Sequence, residues 1–127
     1  MLQEINRALI LMAFALTAQG QSPDSLLGQL EREVNIEAGK IEEPCFAMAL
    51  ADRLEYEFSS DEALDFNLHY HQGNAIFFPV ERKNIHQHEA VFVSTGSRKY
   101  CLMWSNRGEN PVTLRYRYQL YRSAVPQ

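Results

Sequence analysis

Strict two-residue alternation is the feature that most limits what this chain can fold into. In "ALDFNLHY", Leu64, Phe66, Leu68 and Tyr70 fall on one side. Asp65, Asn67, His69 and the following His71 fall on the other. "VTLRYRYQLYR" repeats the pattern, with Val112, Leu114, Tyr116, Tyr118 and Leu120 opposite Thr113, Arg115, Arg117 and Gln119. "RLEYEFSSD" sets Leu54, Tyr56 and Phe58 against Glu55 and Glu57. A period of two belongs to strands with one buried face, because successive side chains leave a strand on opposite sides. The apolar side must be the core side, since burying Asp65 and Asn67 without partners would cost several kcal/mol.

Further strand-like runs fall at 43–50, 75–82, 88–95 and 98–106. The turn signals "SSDEA", "HQGN", "STGSRK" and "NRGENP" separate them, at about ten residues per strand. Helical patterns do not alternate with these strands, which argues against a parallel βαβ sheet. One-sided alternation with short links predicts an all-β antiparallel sandwich of seven or eight strands. The only helical signal outside the leader is "PDSLLGQLERE" at 23–33, where Asp24 or Ser25 could cap a short helix bearing Leu26, Leu27 and Leu30.

The N-terminus, "MLQEINRALILMAFALTAQGQSPDS", has an apolar run of 11 residues from Ala8 to Ala18. Arg7 precedes the run, and Ala18 and Gly20 suit a cut after Gly20. The run is shorter than the roughly 20 apolar residues that span a bilayer. The expected organisation is a signal peptide over 1–20, a segment over 21–33 with the helical option, the sandwich over 34–122 and a tail over 123–127. The mature chain is thus expected to be exported (periplasmic, secreted or luminal) with no transmembrane segment. At 127 residues and 46% hydrophobic content there is room for one core. A net charge of -4 without a dense Lys/Arg run gives no nucleic-acid footprint. Two cysteines, Cys45 and Cys101, suit one disulfide in an exported chain; the alternative is two buried thiols. Closing the intervening loop of 55 residues would contribute roughly 4 kcal/mol on the chain-entropy model.

Three patterns, in this order, carry a resemblance. "EEPCFAMAL" puts Cys-Phe on an early strand. "LEYEFSSDEALDFNLHYHQGNAIFFPV" gives a strand, an acidic turn and a second strand opening on Leu-Asp-Phe. "YCLMWSN" gives Tyr, an aromatic four residues later and Asn two further on. Together they resemble the GOLD (Golgi dynamics) domain, a β-sandwich of luminal cargo receptors and some lipid-transfer proteins, over about Val34 to Leu120. The resemblance implies a GOLD-like or jelly-roll-like sandwich that binds a protein or lipid partner, with no shared catalytic residues and no cofactor. In the family the second cysteine usually stands three residues after the Tyr; here Met103 holds that place and Cys101 directly follows Tyr100. The offset of two keeps the same strand face, so the resemblance still implies a Cys45–Cys101 bridge. Ending at Gln127, the chain is not expected to act as a coat-recruiting receptor by itself.

No Gly-x-Ser-x-Gly elbow and no phosphate-binding Gly-rich loop is present, and the chain is expected not to be an enzyme. All four histidines lie in two His-x-His pairs, His69/His71 and His86/His88. One reading is a small metal-binding protein in which the pairs converge from two strands. The other is a solvated or partner-binding polar face, with His69 and His71 on the exterior of a central strand and His86 and His88 in a loop or at a strand start. The second is preferred, because residues 75–82 could form a strand between the pairs. A cupin motif is excluded, since Glu81 comes ten residues after His71. In "IFFPV" the alternation fails. Phe77, Phe78 and Pro79 become the candidate partner-binding residues, with Pro79 marking an edge strand or a bulge. The partner's identity is not written in the sequence.

Overall fold

The computed structural model describes residues 24–124; the predicted leader lies outside the described residues. Among those, every regular element is a strand: β1 (Ser25–Ile36), β2 (Ile41–Glu42), β3 (Cys45–Met48), β4 (Arg53–Gln72), β5 (Ala75–Val93), β6 (Arg98–Ser105) and β7 (Val112–Arg122). No helix among them is long and apolar enough to cross a membrane. The antiparallel sandwich expected from the alternation is the architecture observed, with seven strands.

The long hairpin β4–β5 organises it. The first part of β4 pairs with β7 through Arg53 to Ser60, and the later part pairs with β6 through Asp65 to His69. On its other side β4 pairs with β5 along nearly its whole length. One continuous sheet therefore folds over into two layers. The first runs β1, β7, the start of β4 and the end of β5. The second runs β2 and β3, then β6, the end of β4 and the start of β5. The fold-over occurs at Ser60 to Ala63, where the register slips between Ser59 and Leu64. Ser60 Oγ donates to the Glu62 carbonyl, and Asp61 accepts from the Thr113 N–H. "SSDEA", expected as a turn between strands, is thus a bulged bend inside one strand, the usual device for carrying a strand from sheet to sheet.

The core lies between the layers. Leu54, Tyr56, Phe58, Leu64, Phe66 and Leu68 of β4 are buried, as the alternation requires. Trp104 is fully buried, with its ring centroid 5.4 Å from both Phe58 and Phe66 and 4.4 Å from Tyr116 of the opposite layer. A polar clasp joins the layers beside it. Tyr116 donates to Glu42 at 2.6 Å, and Glu42 pairs with Arg32 at 3.2 Å. At the other end the buried Asp52 accepts from the Ala49 N–H and pairs with Arg122, tying the turn before β4 to the end of β7.

Two expectations are corrected here. The 21–33 segment is not helical: Ser25–Ile36 pairs with β7 from Ser25↔Arg122 to Ile36↔Val112. That ladder puts Leu30, Val34 and Ile36 against the core, a gain no isolated helix of this length could match. The runs expected at 75–82 and 88–95 are one strand, β5, so "ERKNIHQH" is neither loop nor turn. Asn84, in the left-handed region at φ 55°, takes up the extra residue there.

Candidate functional site

The tip of the β4–β5 hairpin is the first candidate surface. Beyond His69, β5 is the only strand partner of β4 among the described residues, so the tip extends as a two-stranded ribbon turned at Gly73. Among the described residues β5 pairs only with β4, and no described strand lies on its other edge. Pro79, with no N–H to give, stands on that edge beside a bulge between the Leu68 and Tyr70 pairings. The bulge explains the failed alternation of "IFFPV". Val80 opposite Leu68 and Phe77 opposite Tyr70 keep the core-side face although they are three residues apart. Phe77 stacks on Tyr70 at 5.2 Å, and the Arg98 guanidinium lies 4.2 Å from the same ring's centroid. Ile76, opposite His71, and Phe78, 5.8 Å from His69, take the outer face. Ile76, Phe77 and Phe78 remain 44–47% exposed, so both faces of the ribbon show apolar surface.

The second candidate is the row Cys45, Cys101 and His69 across β3, β6 and β4. Cys45 and Cys101 are joined in a disulfide, as expected. His69 is only 3% exposed. It does point away from the core, as its place in the alternation requires, but the outer face is covered there. Glu43, Phe78 and His71 close over the ring. The expectation of a solvent-facing His69 is therefore corrected, and its cause lies in β2–β3 and the bulge, which no local pattern reveals. Its Nδ1 is 2.7 Å from Asn67 Oδ1, and its Nε2 is 3.1 Å from Glu43 Oε2. Burial pushes the imidazole below its ordinary pKa, opposed by Glu43 and reinforced by His71. A Glu43 carboxylate oxygen, a His69 nitrogen and the Cys101 sulfur lie within 4.8 Å of one another.

The two His pairs do not converge. His69 and His71 are neighbours, with ring centroids 5.4 Å apart in the second layer. His88 pairs with Phe58 in the first layer, on the core side, where its Nε2 is 3.2 Å from the Tyr56 hydroxyl. Its ring meets those of Tyr56, Phe58 and Phe66. Burial followed by the Arg82 charge pushes its pKa down. His86 is exposed two residues earlier on β5. A four-histidine site is excluded by this placement, and the loop expected for His86 and His88 is corrected to strand. Glu43 is the residue that sequence reading missed; it stands with Pro44 in the break between β2 and β3.

The outer face of the first layer forms a broad polar groove lined by Glu31, Glu33, Glu57, Arg115 and Arg117 among others. Arg117 pairs with Glu57 at 2.6 Å and Arg115 with Glu33 at 2.9 Å, so its charges are largely satisfied across strands.

No protein-family model matches the chain, and no curated protein matches it. Solved structures do resemble it. PliG from Aeromonas hydrophila, a periplasmic lysozyme inhibitor of g-type lysozyme, overlaps with a TM-score of 0.53 at 10% identity, over 72% of this chain and 85% of that one. The Yersinia pseudotuberculosis-derived mitogen overlaps at 0.49 and 11% identity, over 79% and 90%. A de novo designed double-stranded β-helix overlaps at 0.43 and 16%, over 70% and 97%. At such identity the PliG likeness establishes a shared β fold, and the two weaker overlaps add nothing to it.

Proposed function

We propose that this chain is an exported, non-catalytic binding module for a protein partner, a sandwich of the GOLD-like kind, engaged through the β4–β5 tip. The observation that carries the reading is the exposure of Ile76, Phe77 and Phe78 on both faces of a two-stranded ribbon. Exposed aromatic surface beside a free strand edge is well suited to peptide or loop capture. The disulfide supports export, since such bonds persist in oxidising compartments. PliG, whose fold is similar, is an inhibitor of another protein, and the same mode of use is what we propose here. The non-catalytic part is supported by Asp65, which accepts from the Asn84 N–H and pairs with Arg107 at 3.3 Å instead of orienting a histidine.

The test compares the oxidised wild type with a Phe77→Ser/Phe78→Ser variant as baits in the exported fraction, alongside co-sedimentation with anionic and neutral vesicles. A protein retained by the wild type and lost by the variant is expected. Identical retention by both would sink the tip as the docking surface, and vesicle binding that the variant loses would replace the protein partner with a lipid one.

A further inference from the structure

The packing around the disulfide points to a second, redox-dependent use of this molecule. We propose that the dithiol form binds one zinc ion through Cys45, Cys101, His69 and Glu43, and that forming the disulfide expels it.

The donor set is a Cys₂ pair with one imidazole and one carboxylate, all of types that zinc takes in tetrahedral sites. The Glu43 oxygen, the His69 nitrogen and the Cys101 sulfur already lie within 4.8 Å of one another. A tetrahedral zinc asks for neighbouring nitrogen and sulfur donors about 3.5 Å apart. Cys45 is the residue directly opposite Cys101, with Cα atoms 4.1 Å apart, and in the proposed site its released side chain turns to bring the fourth donor.

His69 is prepared for the role in two ways. Its Nδ1–H donates to Asn67 Oδ1 at 2.7 Å, the outer contact that fixes the tautomer of metal-bound imidazoles. That leaves the Nε2 lone pair directed at Glu43 Oε2, 3.1 Å away. The nitrogen and the carboxylate oxygen are thus placed as adjacent ligands of one ion. A disulfide sulfur is a poor ligand and a thiolate a good one, so the redox state decides whether the site exists.

The chemistry balances. A dithiol reductant attacks the exposed Cys45 sulfur, the Cys45–Cys101 bond breaks, and two electrons and two protons pass to the protein as the reductant closes to its own disulfide. Zinc then displaces the two thiol protons and takes up the free His69 nitrogen and the Glu43 carboxylate. An exogenous disulfide oxidant runs the sequence backwards and releases the ion.

The experiment uses the purified chain, oxidised or reduced with a phosphine under anaerobic conditions, and titrates zinc against a chromophoric competitor. One zinc per reduced chain and none per oxidised chain is expected. Cobalt substitution should give a thiolate-to-cobalt charge-transfer band with tetrahedral d–d bands. His69→Ala, whose fold is verified in the oxidised form, should weaken binding by about tenfold or more. If that variant does not fold, Glu43→Gln carries the comparison, because its side chain is partly exposed. Reduced-state binding weaker than about 1 µM, well short of structural zinc sites, would overturn the proposal. So would equal binding by the oxidised chain, no effect of either variant, or a reduced chain that unfolds and is not restored by zinc.

Discussion

The outer faces of the two layers carry the same alternation and meet different fates. In the first layer, Glu31, Arg117, Glu57 and Glu89 stand in one cross-strand row facing water, as a polar face should. In the second, the equivalent row is Cys45, Cys101 and His69, and two of its members are under 5% exposed. The difference comes from what lies over each face. Among the described residues nothing crosses the first. The second has an edge strand broken at Pro44, which swings Glu43 across the row, and a bulged β5 that lays Phe78 beside it. Facing outward and being exposed are separate properties: alternation decides the first and neighbouring chain segments decide the second.

Four measurements break or sharpen that comparison. The largest effect belongs to the core the layers share. Phe66→Ala removes a ring packed on Trp104, Phe58 and Tyr56 and should cost about 3–5 kcal/mol, read as a lower urea midpoint with unchanged slope. Phe78→Ala, at the exposed tip, should cost far less, and comparable losses would mean the tip is part of the core.

Next comes the staple of the second layer. Replacing Cys45 and Cys101 with Ser should cost about 2–4 kcal/mol, measured by thermal or urea unfolding without reductant. A change within error would show that β3 holds β6 by its ladder alone.

The third sets His69 against His71. His69→Ala strands Asn67 and Glu43 and opens a buried gap, at a cost of about 1–3 kcal/mol, while His71→Ala should stay within about 0.5 kcal/mol. The pH dependence follows from the direction of the shifts. His69 and His88 both titrate below their ordinary value of 6.5 in the folded chain. The unfolded chain therefore binds more protons just below that pH. The stability owed to neutral histidines is fully present above pH 6.5 and declines as pH falls through the lower folded values. Urea midpoints should drop between pH 7.5 and pH 5.5, and drop less in His69→Ala. A midpoint that rises on acidification would mean the Glu43 contact outweighs burial and holds His69 charged.

The smallest effect is expected on the open face of the first layer. Arg115→Ala breaks the exposed pair with Glu33 and should change stability by less than about 0.5 kcal/mol, vanishing in 1 M salt. A larger, salt-resistant loss would show that this groove is more than a solvated charge face.

The sequence by itself determined the class and the direction of most side chains. Alternation is a local property, set by strand geometry and the cost of burying Asp65 or Asn67, so the core faces of β4 and β7 were legible from short stretches. The Cys45–Cys101 pair was legible because a count of two leaves one intramolecular pairing. Tertiary structure decided everything that depends on a distant partner. It made 25–36 a strand, because β7 offers it a ladder and a core face that Leu26, Leu27 and Leu30 could not announce. It fused "SSDEA" and "ERKNIHQH" into two long strands, because bulges absorb polar residues without ending a ladder. It separated the histidine pairs into different layers and buried His69 under Glu43, because burial is a sum over neighbours, and Glu43 arrives from 26 residues away along the chain.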